Sequence, residues 1–237
     1  MTVFTLACGS SQAPPADAWT SGSPTRPSAA LVASMGDHAA HGRAMRDAVA
    51  RADLDRARTE ASALAQARFD YREAPSWQAK VDAMVSATGR VSSAKDLAEA
   101  SHGVAAVARS CGDCHATFAR ERNVVVTEPP PPSLDLLPRM QRHQWAEARL
   151  WSGLAIPSSE AWTAGARVLR DAPLEPERLT AGAPSVQRMG ELARAVHDLG
   201  DKSGAAETAD AREAAYGQLL GTCSECHALL SVRPNSP

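Results

Sequence analysis

Two five-residue motifs carry the chemistry that this chain could perform. The sequence reads Cys-Gly-Asp-Cys-His at 111–115 and Cys-Ser-Glu-Cys-His at 223–227. A Cys-x-x-Cys-His run is the attachment site of a c-type haem, whose two vinyl groups bond to the two thiols. The histidine that follows directly then lies under the iron as its proximal ligand. The sequence therefore predicts two covalent haem c groups, held by six residues: Cys111, Cys114, His115, Cys223, Cys226 and His227.

Other uses of these cysteines fit the spacing less well. Two zinc knuckles are expected roughly 15–20 residues apart, whereas the motifs begin 112 residues apart (223 − 111). A thioredoxin-like pair is expected beside a βαβ pattern, which the sequence does not show. A structural disulfide would not explain the histidine in both copies. Of the five cysteines, two haems use four and leave Cys8.

The N-terminal segment indicates a membrane tether. Residues 1–8 are largely apolar and end in Leu6-Ala7-Cys8, which resembles the end of a bacterial lipoprotein signal, where the cysteine receives lipid. The apolar run is shorter than the roughly 7–15 residues of a signal peptide, and no Lys or Arg precedes it. Residues 9–30 are rich in Ser, Gly, Pro and Ala, a composition that favours a flexible linker. We expect residues 1–30 to tether a periplasmic lipoprotein to the membrane through lipidated Cys8.

Composition limits the remaining possibilities. The chain has 237 residues, 44% of them hydrophobic, and a net charge of −2, which suggests two small domains. No apolar stretch approaches the roughly 18 residues of a membrane span. The absence of a basic face or tail argues against a nucleic-acid partner. Abundant alanine with scattered Arg and Glu favours helices.

The two halves of the chain look like an internal duplication. Residues 124–133 contain four consecutive prolines, which favour extended polyproline geometry and predict a semi-rigid spacer. The units on either side, 31–123 and 134–233, each contain one haem motif near their end. Segment 35–38 aligns with segment 140–143 at an offset of 105 (140 − 35), which grows to 112 at the haem cysteines (223 − 111). We therefore expect the same fold twice.

Each unit is predicted to contain four helices, A to D. In the first unit they span residues 31–51, 53–68, 76–89 and from about 93 through the haem motif. Asp53 and Ser76 are the expected N-caps, and Gly89 is an expected helix end. Apolar residues of helix D recur at three- and four-residue steps, which places both thiols on its buried stripe. Helices joined by short loops form antiparallel bundles, so the predicted fold is all-α, with two tandem antiparallel four-helix bundles.

A four-helix unit with Cys-x-x-Cys-His near the end of its last helix resembles the cytochrome c′ family, the class II cytochromes c. Residues 108–115 and 219–227 carry the likeness, which covers 31–122 and 134–233. The resemblance implies one haem per unit and a periplasmic location. It also implies either electron transfer between redox partner proteins or binding of small gases such as NO or CO at an open iron face.

The sixth iron ligand decides between these two roles. In an up-down-up-down bundle the start of helix A lies beside the end of helix D, so a distal ligand is expected in the first turns of helix A. His41 and Met45 lie there in the first unit, but the duplication aligns them with Ala146 and Leu150. Neither of these two residues can therefore have the same role in both halves.

Two pairs of residues do recur in both halves. His38 aligns with His143 and Met35 with Met140, and each histidine lies one helical turn from its methionine. We predict His38 and His143 as distal ligands, with Met35 and Met140 as the alternative. Methionine ligation would raise the reduction potential.

The expected function is that of a dihaem electron carrier rather than an enzyme. The haem supplies the redox chemistry, while the protein sets its potential by ligand, burial and nearby charge. A gas-binding module with five-coordinate iron is the main alternative. A dihaem peroxidase is a weaker one, because it would need distal acid and base residues, and the sequence offers none beyond the histidines already named.

Overall fold

The structure is a computed structural model that describes residues 29–67, 77–118, 124–171, 174 and 186–230. These ranges contain eight α-helices and no strand, which confirms the all-α prediction. The helices are α1 (Ala29–Ala50), α2 (Leu54–Gln66), α3 (Gln78–Ser92), α4 (Leu97–Phe118), α5 (Leu136–Ala155), α6 (Ser159–Asp171), α7 (Val186–Gly204) and α8 (Ala209–Leu229). Within the described ranges, no helix combines the length and apolar character of a membrane span.

Side-chain caps determine where several helices begin. Asp53 accepts a hydrogen bond from the Arg56 amide at 3.0 Å, which confirms it as the N-cap of α2. Helix α4 begins four residues later than predicted because Asp96 is its cap and accepts from the Glu99 amide at 2.8 Å. Glu99 in turn accepts from the amide of Lys95. Capping of this kind satisfies amides that have no partner within the helix.

The predicted helix end at Gly89 is wrong. Helix α3 continues to Ser92, and the Gly89 carbonyl accepts from the Ser93 amide at 3.1 Å, as in an uninterrupted helix. A glycine in a helix interior costs about 1 kcal/mol relative to alanine but does not by itself end the helix. The predicted cap Ser76 lies outside the described residues.

The helix positions follow the sequence repeat. Helices α2 and α6 both have 13 residues and begin 105 residues apart (159 − 54). Helices α4 and α8 begin 112 residues apart (209 − 97). The caps recur as well, because Thr208 accepts from the Ala211 amide and stands 112 residues after Asp96.

The two halves share one hydrophobic core. Successive helices pack together within each half, and α1 also contacts α4 as α5 contacts α8. In addition, α4 packs along α8, α4 contacts α5, and α1 contacts α8. The main cluster of buried apolar side chains accordingly contains residues from both halves, such as Val49, Val104, Leu150 and Leu219. The halves therefore form a continuous structure.

Helices α4 and α8 run antiparallel. Arg109, just past the middle of α4, forms an ion pair with Asp210 at the start of α8. Gly217 lies so close to α4 that a Cβ on it would come within 2.7 Å of His102 Nδ1. This register places the two haem motifs at opposite ends of the helix pair, roughly 25 Å apart along it at 1.5 Å per residue.

The proline-rich segment lies against the second half. Within residues 124–133, the carbonyl of Val125 accepts from Arg149 at 3.0 Å and that of Pro130 accepts from Arg142. Both arginines belong to α5. The segment predicted as a spacer is thus held along α5 by its backbone oxygens.

A buried polar network joins three helices across the two halves. Arg46 Nε of α1 lies 3.5 Å from Glu147 Oε1 of α5, and the hydroxyl of Tyr216 of α8 donates to that same oxygen. Arg46 also bonds to Asp47 and lies over the Trp151 ring, 5.8 Å from its centroid. Burial lowers the pKa of Arg46, but Glu147, Tyr216 and Asp47 raise it by more. The guanidinium therefore stays charged inside the core.

Candidate haem site

The first haem motif lies in the last turns of α4 and lines a cavity of about 290 Å³. The walls come from α1, α2, α3 and α4, and one wall comes from α5 of the other half. Most of the lining is apolar, as in typical small-molecule sites. The motif contributes three side chains to this lining, namely Cys111, Cys114 and His115.

One hydrogen bond fixes the orientation of His115. Its Nδ1 lies 2.7 Å from the carbonyl oxygen of Ala155, the last residue of α5. Because a carbonyl can only accept, Nδ1 carries the proton and the lone pair is on Nε2. A metal-ligating histidine characteristically binds through one nitrogen while the other donates to a backbone carbonyl or carboxylate. The ring therefore has the tautomer that a proximal haem ligand needs.

Gly112 allows this close approach between α4 and α5. A Cβ at this position would lie 2.2 Å from the carbonyl oxygen of Leu154 and 3.6 Å from Pro157 Cγ. A Cβ atom cannot lie 2.2 Å from a carbonyl oxygen, so only glycine fits at this position. A residue inside the Cys-x-x-Cys-His motif thus determines how near its histidine comes to the other half.

The thiols of both motifs are neutral. Burial raises the pKa of Cys111 and of Cys223 to about 12 each, and it also raises the pKa of Cys114 and Cys226. None of these four cysteines forms a disulfide. Redox-active and nucleophilic cysteines instead have lowered pKa values, often at helix N-termini. The environment therefore disfavours the thioredoxin-like alternative and suits thiols that become uncharged thioethers.

Four cationic side chains that belong to no sequence motif also line the cavity: Arg43, Arg46, Lys80 and Arg149. Arg149 comes from the second half, and its buried Nε has no hydrogen-bond partner among the described residues. Guanidinium groups bind carboxylates strongly. The cavity thus suits a largely apolar ligand that bears carboxylates, which is the chemistry of haem with its two propionates.

The structure separates the distal-ligand candidates of the first half into two groups. Met35 and His38 line the cavity, whereas His41 bonds to Glu60 at 2.9 Å and Met45 is fully buried in the core. His38 is itself buried, and its Nε2 lies 2.7 Å from the Ala67 carbonyl. Binding of iron through Nε2 would require that bond to break. Burial lowers the pKa of His38, which favours the neutral form that a ligand needs.

The second motif is packed differently. Cys223 contacts the main core, and Cys226 packs with Met140 against a smaller buried cluster of Leu174, Met189 and Ala193. His143 is buried, and its ring meets that of His197 edge-on with centroids 6.5 Å apart. The loop between α6 and α7, apart from Leu174, lies outside the described residues. Met140 and Cys226 thus pack against the same buried cluster.

His227 occupies the place that His115 has in the first half. It lies beside the carbonyl of Ala50, the last residue of α1. Burial lowers the pKa of His227, and this carbonyl acts in the opposite direction. The buried Nδ1 nevertheless makes no hydrogen bond of normal geometry within the described part of the chain.

The zinc alternative gains no support from the geometry. Among the residues that the structure describes, no group of three or more His, Cys, Asp or Glu side chains is placed to hold a metal ion. The two thiols and the histidine of the first motif instead line one cavity.

Comparisons with known proteins found no match for this chain. No protein-family model matches the chain, and no curated protein or solved structure matches it significantly.

Proposed function

We propose that this chain is a dihaem c-type cytochrome that carries single electrons between redox partner proteins. The proposal rests on the geometry of the first motif. Its two thiols line the same cavity as His115, whose tautomer suits a proximal haem ligand. Haem, when bound, supplies a reversible one-electron couple whose potential depends on ligands, burial and charge. The repeat at offset 112 extends the same assignment to the second motif.

The residues of the first site have distinct parts in this proposal. Cys111 and Cys114 anchor the porphyrin, and His115 offers Nε2 to the iron while Ala155 holds its Nδ1–H. The apolar walls exclude water. Arg43, Arg149 and Lys80 would offset the carboxylate charge that the cofactor brings into the cavity, since Arg46 is already paired with Glu147 and Asp47.

The finer architecture belongs to the same proposal. Residues 31–123 and 134–233 are two tandem four-helix bundles of the cytochrome c′ type. The sequential packing of α1 to α4 and of α5 to α8 supports this arrangement, as does the position of each motif near the end of its last helix.

The test is the haem content and the spectrum of the purified chain. Intact mass under denaturing conditions and a pyridine haemochrome assay should find two porphyrins retained per chain. Oxidised and reduced spectra should then show reversible one-electron changes. A chain that retains zinc, or no porphyrin, would contradict the proposal.

Gas binding is the second candidate, and one observation favours it. His38 Nε2 is already bonded to the Ala67 carbonyl, so the distal face of the first site could remain open to NO or CO. This role needs a five-coordinate iron, whereas electron transfer is favoured by two protein ligands.

Replacement of the distal candidates should distinguish these roles. We expect His38→Ala to keep both haems attached, because the thioethers are untouched, but to convert one centre from low-spin to high-spin. Met35→Ala is the matched control on the same cavity wall and should change the spectrum little. His143→Ala and Met140→Ala form the same pair in the second half.

The opposite result is equally informative. If the methionine variants change the spin state and the histidine variants do not, the distal ligands are Met35 and Met140. If the unmodified protein is already high-spin and binds CO readily, gas binding is the better account.

We propose a periplasmic location with a lipid anchor at Cys8, which lies outside the described residues. Cys8→Ser should move the protein from the membrane fraction to the soluble periplasmic fraction in a fractionation experiment. Its haem content should not change, because Cys8 belongs to neither motif. A wild-type protein that is already found in the soluble fraction would refute the anchor.

A further inference from the structure

In each half, a carbonyl at the end of the first helix lies beside the motif histidine of the other half. The Ala155 carbonyl, at the end of α5, accepts from His115 of the first half. The Ala50 carbonyl, at the end of α1, lies beside His227 of the second half. Ala50 and Ala155 are equivalent in the repeat, since 155 − 50 is 105. The last carbonyls of a helix have no partner within it and carry the negative end of its dipole, so they are good acceptors.

The two sites differ in whether this bond is made. His115 forms it at 2.7 Å, whereas His227 lies beside the Ala50 carbonyl but its buried Nδ1 makes no hydrogen bond of normal geometry within the described residues. The contact between α4 and α5 depends on Gly112, where no Cβ fits. The equivalent residue of the second motif is Ser224 (224 − 112 = 112), whose side chain is buried. Its hydroxyl donates to Gly221 of its own helix and contributes no bond to the other half.

We infer that the residue after the first cysteine of each motif, Gly112 or Ser224, sets the reduction potential of its haem. It does so by determining whether the proximal histidine reaches the helix end of the other half. The inference rests on the proposed haem function. Gly112 lets α4 approach α5 until His115 bonds to Ala155, while the Ser224 side chain keeps α8 slightly away from α1.

The direction of the effect follows from ligand basicity. A hydrogen bond from Nδ1–H to an acceptor makes the ligating nitrogen a stronger electron donor. A stronger donor stabilises the oxidised iron more than the reduced iron and therefore lowers the potential, since hydrogen bonding around the axial ligand is one of the protein's means of tuning haem. The first haem accordingly has the lower potential and the second the higher.

The experiment is a spectroelectrochemical titration of the full-length chain and three variants. Wild type should show two one-electron waves. Ser224→Gly should lower only the higher wave, by roughly a tenfold change in the redox equilibrium, or about 59 mV for one electron. Gly112→Ser should raise only the lower wave. Ser224→Ala is the matched control, because it removes the hydroxyl but keeps the Cβ, and both waves should stay in place.

The outcomes separate this inference from the proposed function. Two attached haems with waves that Ser224→Gly does not move would overturn the inference and leave the cytochrome assignment intact. An equal shift in Ser224→Ala would also overturn it, because the hydroxyl rather than the bulk would then be responsible. A chain without covalent haem would overturn both. Should Gly112→Ser fail to fold, Ser224→Gly decides alone, since it only removes atoms.

Discussion

Replacing Cys111 and Cys114 together by serine is expected to leave the chain with one covalent haem instead of two. A serine hydroxyl does not add to the porphyrin vinyl groups, so the first site loses its attachment. The second motif should be unaffected, because it lies roughly 25 Å away along the α4–α8 pair. Haem absorbance per chain should fall by half. The intact mass should decrease by the mass of one haem, in addition to the small change from the two substitutions.

The corresponding variant of Cys223 and Cys226 is the matched experiment in the other half. It too should retain one haem, and the spectra of the two single-haem proteins should add to that of wild type. Loss of both haems from either variant would show that attachment at one site depends on the other. Retention of two haems would show that the motifs are not the attachment sites.

Replacing Glu147 by alanine is expected to destabilise the fold by about 1–3 kcal/mol, the usual cost of leaving a buried polar group without a hydrogen-bond partner, because Arg46 keeps its bond to Asp47. The change would leave the Arg46 guanidinium without its partner from the other half and the buried Tyr216 hydroxyl without its acceptor. The measurement is the free energy of unfolding from urea denaturation of the haem-loaded protein. Glu191→Ala, which removes an exposed partner of Arg188, is the control and should leave the midpoint nearly unchanged, since such pairs contribute little.

A double-mutant cycle tests whether the network itself is responsible. Arg46→Met combined with Glu147→Ala should cost less than the sum of the two single changes, because the double variant leaves no unpaired buried charge. Additive losses would mean that the two side chains do not interact across the halves. In that case the stability would come only from apolar packing around them.

Local patterns in the sequence predicted the local parts of this molecule. The Cys-x-x-Cys-His spacing identified the candidate site, and the apolar periodicity identified the helices. Asp53 is recognisable as a cap from the sequence because a capping side chain acts only two or three residues away. The predicted start of α4 is four residues too early because the Asp96 cap, rather than the apolar pattern, determines where the helix begins.

The parts contributed by the opposite half were missed. Three residues of the second half contribute to the first site: Arg149 and Trp151 line the cavity, and the Ala155 carbonyl binds His115. They follow the first motif by some 30 to 45 positions in the sequence. A repeat with a proline-rich connector suggested independent bundles, and neither periodicity nor spacing reports contacts between them. One signal was present: Gly112 and Gly217 stand inside helices, where glycine is unfavourable unless another backbone approaches closely.

The exchange of helix ends between halves resembles an isologous dimer interface, in which the same surface serves both partners. Had the two units been separate chains, the histidine of each motif would have depended on a second molecule, and dilution would have disassembled its surroundings. Joining the units in one chain makes this association intramolecular, at an effective concentration on the order of millimolar for a short connector. The segment bound along α5 therefore makes the environment of both histidines independent of how much protein the cell produces.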